Sequence, residues 1–301
     1  MLLLACTVDE APDSVVEVDT DTDADTDTDS DSDTDADSDT DSDTDADLIT
    51  AYAWAGHIGV GELASPRGVA VMNGRLVVAD TGNGRLAEFD LDGAFVGSIG
   101  EDVLSSPKHV AFDAAGDLWT ADTSTYEVFR FGSEDLRFSG DFLETYAALG
   151  VADEAYVADY GQDRVVVTDL EGAELRVIGD SVELDKPSGL LVVEERLYVA
   201  STGGDVVRVY EAGTLIDTLG AGVLNDPHQL ALDPDGSIWV ADQFNWQVVK
   251  LSPEGEVLTS IGERGSEDGQ VDWPFGVAVA PDRRIFVADM RNDRISVWAP
   301  E

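Results

Sequence analysis

Three histidines, His57, His109 and His228, are the only imidazoles in this chain of 301 residues. Two of them follow prolines closely, in Pro107-Lys108-His109 and Pro227-His228. The same Pro-x pattern recurs with other side chains: Arg67 after Pro66, Ser188 after Pro187, Phe275 after Pro274, and Tyr146 where Thr145 takes the place of proline. Arg67, Lys108 and a protonated histidine would draw an anionic group such as a carboxylate. Imidazoles could instead hold a metal or move protons. A catalytic zinc takes about three protein ligands, and these histidines do not occupy one kind of position. His109 is shifted by one residue from the place of His228, and His57 lies in a different kind of segment. The glycines fall at turns, which leaves neither a nucleophile elbow nor a phosphate-binding loop. No metal site, cofactor or catalytic residue is assigned.

The elements that must position these residues are visible in Pro66–Gly100. It holds four short apolar runs, Gly68–Val71, Leu76–Ala79, Arg85–Phe89 and Phe95–Ile99, separated by Asn73-Gly74, Thr81–Gly84 and Asp92-Gly93. Apolar runs of this length between such turns predict a four-stranded antiparallel meander. The unit recurs. Its second strand ends at Asp80, Asp122, Asp159, Ser201, Asp242 and Asp289, with spacings of 42, 37, 42, 41 and 47 residues, which suits propeller blades. The last copy lacks a fourth strand, while Thr50–Gly59 matches Gly93–Gly100. The N-terminal strand should therefore pair with the C-terminal three, removing two exposed edges.

The pattern Pro-x-Gly-Val-Ala-Val, Val-Ala-Asp-Thr-Gly-Asn-x-Arg, Asp-Gly resembles the NHL repeat over residues 51–299, most closely at Pro274–Ile295. The resemblance implies an all-β, six-bladed propeller with the first strand of each blade lining a central channel. Three regions follow: 1–6 as a residual lipoprotein signal, 7–49 as a disordered acidic linker, and 50–301 as the propeller.

In an up-down blade the start of the first strand and the second turn share one face. One channel mouth is then expected to carry Arg67, Lys108, His109, Tyr146, Ser188, His228 and Phe275, with Gln243 and Trp246 from a second ring that includes Thr81, Thr123, Tyr160, Phe244 and Met290. These positions differ between blades, and divergence on a repeated frame is where function is grafted. Two repeating features read as scaffold. Val77, Trp119, Tyr156, Tyr198, Trp239 and Phe286 share one strand position and should be core. Asp80/Arg85, Asp159/Arg164 and Asp289/Arg294 should brace a turn. The peptide-amidating lyases resemble NHL propellers and use Pro-His motifs from three blades; only Pro227-His228 matches. The lactonases use acidic residues in the channel, and no first strand here starts with one.

Charge narrows the partners. The chain carries 63 acidic and 17 basic residues, a net charge of −46, and its part after residue 50 still has 44 acids. Such a body repels phosphate backbones and anionic membranes. Residues 19–47 place an aspartate at every odd position, which extends a chain instead of folding it. Leu3-Leu4-Ala5-Cys6 resembles a bacterial lipobox with Cys6, the single cysteine, as the lipidated residue. The expectation is a monomeric binding module anchored by lipid in the outer membrane or displayed on the bacterial cell surface. It would recognise a protein, peptide or glycan at the channel mouth, without nucleic acid. The alternatives are a metal-dependent lyase or hydrolase, and an envelope scaffold without a small ligand.

Overall fold

Leu76 and Val78 pack against one neighbouring sheet, while Val77 and Ala79 of the same strand pack against the other. This is the alternation of a strand buried on both faces, and it recurs around the molecule. A computed structural model describes residues 49–141, 145–151 and 154–301. They form six four-stranded antiparallel sheets, the blades of a propeller.

Blade I comprises Pro66–Met72, Arg75–Asp80, Arg85–Asp90 and Phe95–Ile99 from the channel outwards. Blade II comprises Pro107–Phe112, Leu118–Asp122, Glu127–Phe131 and Leu136–Ser139. Blade III runs through Thr145–Val151, Glu154–Asp159, Arg164–Asp169 and Glu174–Ile178. Blade IV is Pro187–Val193, Arg196–Ser201, Val206–Glu211 and Thr214–Leu219. Blade V is Pro227–Leu232, Ile238–Asp242, Gln247–Leu251 and Val257–Ile261. Blade VI takes Pro274–Val279, Ile285–Asp289 and Arg294–Pro300 from the C-terminus, and its outer strand is Tyr52–Ile58. That strand pairs antiparallel with Arg294–Pro300, placing Trp54 opposite Trp298. The expected closure of the ring is present.

The core has no single centre. Six apolar clusters each fill the space between two neighbouring blades, so every blade is held by the ones beside it. The aromatic stripe belongs to these layers: Trp119, Trp239 and Phe286 are buried, and Tyr198 nearly so. Indole Nε1 donates to Asp113 in one case (2.9 Å) and to Asp233 in the other (3.0 Å), so neither tryptophan leaves a buried donor unpaired. Truncating either to alanine should cost about 3–5 kcal/mol.

The Asp-x4-Arg pairs also brace the fold. Arg85 Nε donates to Asp80 at 2.8 Å, Arg164 to Asp159 at 3.1 Å and Arg294 to Asp289 at 2.8 Å. Each of these carboxylates is fully buried and takes another side-chain donor three residues on, Asn83, Gln162 or Asn292. Asp80 and Asp289 also accept a backbone N–H from the loop entering their own blade, at Ala64 and Asp272. Several charge-assisted hydrogen bonds per carboxylate offset its desolvation. No helix among the described residues is long and apolar enough to cross a membrane. Cys6 and the acidic stretch up to residue 48 lie outside the described residues.

Candidate functional site

The third inner-strand position is glycine in three blades, Gly68, Gly189 and Gly276, and there the inner strand of the next blade comes close. A Cβ on Gly276 would come within 2.1 Å of the Arg67 carbonyl oxygen and 2.9 Å of Gln229 Oε1. Gln229 uses that space to reach from blade V to blade I. Its Oε1 accepts from Val69 N (3.0 Å) and its Nε2 donates to Val69 O (2.6 Å). This latch divides the channel into an upper mouth and a lower cavity.

The upper mouth is a cavity of about 370 Å³ lined by residues of blades I, III, V and VI and by the loop residues entering blades IV, V and VI. Arg67, Tyr146, His228, Gln243 and Phe275, five of the predicted site residues, meet here, as do Tyr160, Phe244 and Met290 of the second ring. The aromatic rings are stacked: Tyr146 on Tyr160 with centroids 4.3 Å apart, and His228 on Phe275 at 4.0 Å. The Arg67 guanidinium lies over Phe275, 4.7 Å from the ring centre. Burial lowers its pKa from the ordinary arginine value, with Tyr146 opposing the shift through a hydrogen bond. An arginine stays charged at neutral pH all the same. Arg67 Nε is buried with no hydrogen-bond partner, and Arg67 makes no ion pair among the described residues.

His228 is fixed at both ring nitrogens. Nδ1 is 3.1 Å from Ser188 Oγ, and Nε2 is 3.4 Å from Asp226 Oδ2. Burial pulls the imidazole below its ordinary pKa, Asp226 and Gln243 pull the other way, and Arg67 adds to the depression. The ring is therefore neutral at pH 7.

Four predicted residues do not line this cavity, each for a local reason. Ser188 lies behind His228, buried, in contact with Thr202 Oγ1 (2.5 Å) and the Pro227 carbonyl (3.3 Å). Trp246 occupies the left-handed position (φ 52°) that closes its turn, with Arg264 over its ring at 4.7 Å. His109 sits one residue deeper than the mouth ring, buried in the wall of the lower cavity. Lys108, half-buried, belongs to blade II, which supplies no lining side chain. Thr81 of the second ring is a brace, its hydroxyl donating to the Pro107 carbonyl at 2.5 Å.

Lys186, Asp226 and Trp273 line the mouth and were not anticipated. All three directly precede the inner-strand proline, with φ of 53°, 60° and 59°. This position diverges between blades as the ring positions do, so the same test moved back one residue would have found them. Among the described residues, no group of three His, Cys, Asp or Glu side chains is placed to hold a metal ion. The donor set does not fit a zinc centre.

The molecule is a six-bladed β-propeller with a cationic and aromatic cavity at one mouth. Residues 63–89 match the NHL repeat. Among curated proteins, "Probable peptidyl-alpha-hydroxyglycine alpha-amidating lyase pgal-1" of Caenorhabditis elegans is 38% identical over 79 residues, 25% of this chain and 23% of that protein. NHL repeat-containing protein 3 of Mus musculus is 28% identical over 167 residues, 48% of each chain. The chain thus spans less than half the length of either relative. Among solved structures, a streptogramin B lyase superposes with a TM-score of 0.64 at 10% identity, covering 84% of this chain and 98% of the lyase. That likeness is one of fold.

Proposed function

We propose that the propeller is a binding module whose upper mouth takes a carboxylate group carried by a protein, peptide or glycan. The observation that carries this reading is Arg67: a half-buried cation, backed by Phe275, whose buried Nε is unpartnered and which has no acidic partner among the described residues. A ligand carboxylate would supply the missing acceptor, and the stacked rings of Tyr146, Phe275 and His228 would cover its apolar part. The surrounding acidic body suits this arrangement, because it discourages polyanions and leaves the mouth to a single negative group. Display on a lipid anchor at Cys6, at the bacterial cell envelope, is part of the same proposal.

The test compares benzoate with benzamide, titrated into the full chain and followed by tyrosine and histidine NMR resonances. Benzoate should shift the mouth resonances saturably and benzamide should not. One charge-assisted hydrogen bond contributes about 1.5–3 kcal/mol, so Arg67→Met should weaken benzoate roughly 10- to 100-fold. Equal binding of the two probes, or binding indifferent to Arg67→Met, would overturn the reading.

One observation favours a second reading, a lyase or hydrolase. His228 stands at the cavity wall in a fixed orientation, with Asp226 on Nε2 and Ser188 on Nδ1, the arrangement of an imidazole oriented by a carboxylate. The nematode relative is itself named as a lyase. Turnover of a carboxylate ligand that disappears in His228→Ala while binding persists would support this reading over simple recognition.

A further inference from the structure

Below the Gln229 latch the channel opens again towards the opposite face. This lower cavity measures about 270 Å³ and is lined by inner-strand residues of blades I, II, IV, V and VI. Its wall is apolar, built from side chains such as Val71, Met72, Leu191, Leu232 and Val279. Two polar side chains interrupt it. Gln229 spends its amide on the backbone of Val69. His109 is only 3% exposed, and its Nδ1 is buried with no hydrogen-bond partner.

A buried polar atom left without a partner is unfavourable, and a bound molecule with one complementary group would satisfy it. Burial drives the pKa of His109 down to about 4, so the imidazole is neutral in ordinary buffers. Among the described residues no charged side chain lines the cavity, so a charged ligand would lose its hydration without compensation from them. The lining therefore selects for a neutral, mostly apolar molecule. An apolar cavity of about 150 Å³ is enough to hold benzene, and this one has room for a substituted ring.

We propose that the lower cavity is a second ligand site, which takes a small neutral apolar molecule bearing one hydroxyl, an alcohol or phenol, hydrogen-bonded to His109 Nδ1. The site does not depend on the carboxylate site, because the Gln229 latch separates the two and no described residue lines both cavities. Its ligand would enter from the face opposite the upper mouth.

The experiment titrates p-cresol and toluene into the full chain, with the His109 ring protons followed by NMR. p-Cresol should bind saturably, shift His109, and bind roughly tenfold tighter than toluene, the size of one net hydrogen bond. His109→Leu should abolish that preference while toluene still binds. Met72→Trp, at the lower rim, should block both probes, and it serves as the second variant if His109→Leu fails to fold. Arg67→Met should leave p-cresol binding unchanged, which separates this site from the upper mouth. Equal affinity for the two probes, a preference that survives His109→Leu, or no binding of either probe would overturn the proposal.

Discussion

Lys250 Nζ stands 2.6 Å from Asp235 Oδ2, and neither side chain is more than 3% exposed. The same ammonium lies 3.3 Å from Asp233 Oδ2 and donates to the Ile49 carbonyl at 2.9 Å. Two buried carboxylates of blade V are thus neutralised by a cation that also holds the segment entering the closing strand. Removing one partner of a buried ion pair leaves an uncompensated charge. Lys250→Met should therefore cost about 3–5 kcal/mol, or roughly 10 °C in the thermal midpoint of a domain this size. Circular dichroism melting curves would measure it. A midpoint within a degree or two of wild type would show that the cluster does not hold the ring closed.

The same pair makes a prediction in pH. Burial works against ionisation of Asp235, but hydrogen bonds from Lys250 and Ser237 outweigh it and hold the carboxyl below its usual range. A depressed carboxylate contributes stability that is complete above its unfolded value of about 3.9 and is lost as pH falls through the folded value. Asp242 and Asp289 act with the opposite sign, since burial raises them. The difference in melting temperature between wild type and Lys250→Met cancels those two. It should be largest above about pH 5 and shrink towards about pH 3. A difference independent of pH would contradict the assignment.

The fold was legible because it repeats. Six copies of one strand pattern, with turns in register, leave a propeller as the way to bury apolar residues on both faces of every blade. Even Thr50–Gly59 announced its role, since it supplies the strand the last copy lacks. The site was legible only in part. Sequence spacing tells which residues share a face, and Arg67, Tyr146, His228, Gln243 and Phe275 do meet. It does not tell depth along the channel, and one residue separates His228 at the mouth from the lower layer of His109 and Gln229. Nor does it tell which side a left-handed residue faces, so Trp246 seemed to belong to the mouth. The Gln229–Val69 latch joins residues 160 positions apart, and nothing local in either strand signals it.

That latch makes Gly276 intolerant of a side chain. A methyl group there meets the Arg67 carbonyl at 2.1 Å and Gln229 Oε1 at 2.9 Å, so either the inner strands separate or Gln229 is expelled. Gly276→Ala should destabilise the protein by about 1–3 kcal/mol, the range for overpacking a dense interior. It should also disturb benzoate binding, because Arg67 lies on the strand that is displaced. Gly74→Ala is the control. Its φ of 78° disfavours a side chain, but its Cβ would meet nothing within 4 Å. If both variants melt alike and bind benzoate alike, the close approach of the inner strands is not what excludes a side chain at Gly276, whose own φ is not in the left-handed region.

His228 should make recognition at the upper mouth depend on pH. Its imidazole faces Arg67, Asp226, Lys186, Tyr146 and Tyr160 across the cavity. Burial, which outweighs the pull of Asp226, keeps it below its ordinary value of 6.5. A carboxylate bound beside it would stabilise the protonated ring, so the complex holds more protons than the free protein. Affinity for benzoate should then rise as pH falls below about 6.5 and level off near the carboxylate's own pKa of about 4. A gain of about tenfold corresponds to ~1.4 kcal/mol of added attraction. His228→Gln removes the titrating group while keeping a polar side chain, and its affinity should be flat over the same range. A flat profile in wild type, or a slope that persists in His228→Gln, would place the pH response elsewhere. Asp226→Asn should move the gain to lower pH, because the carboxylate that helps the imidazole take up a proton is gone.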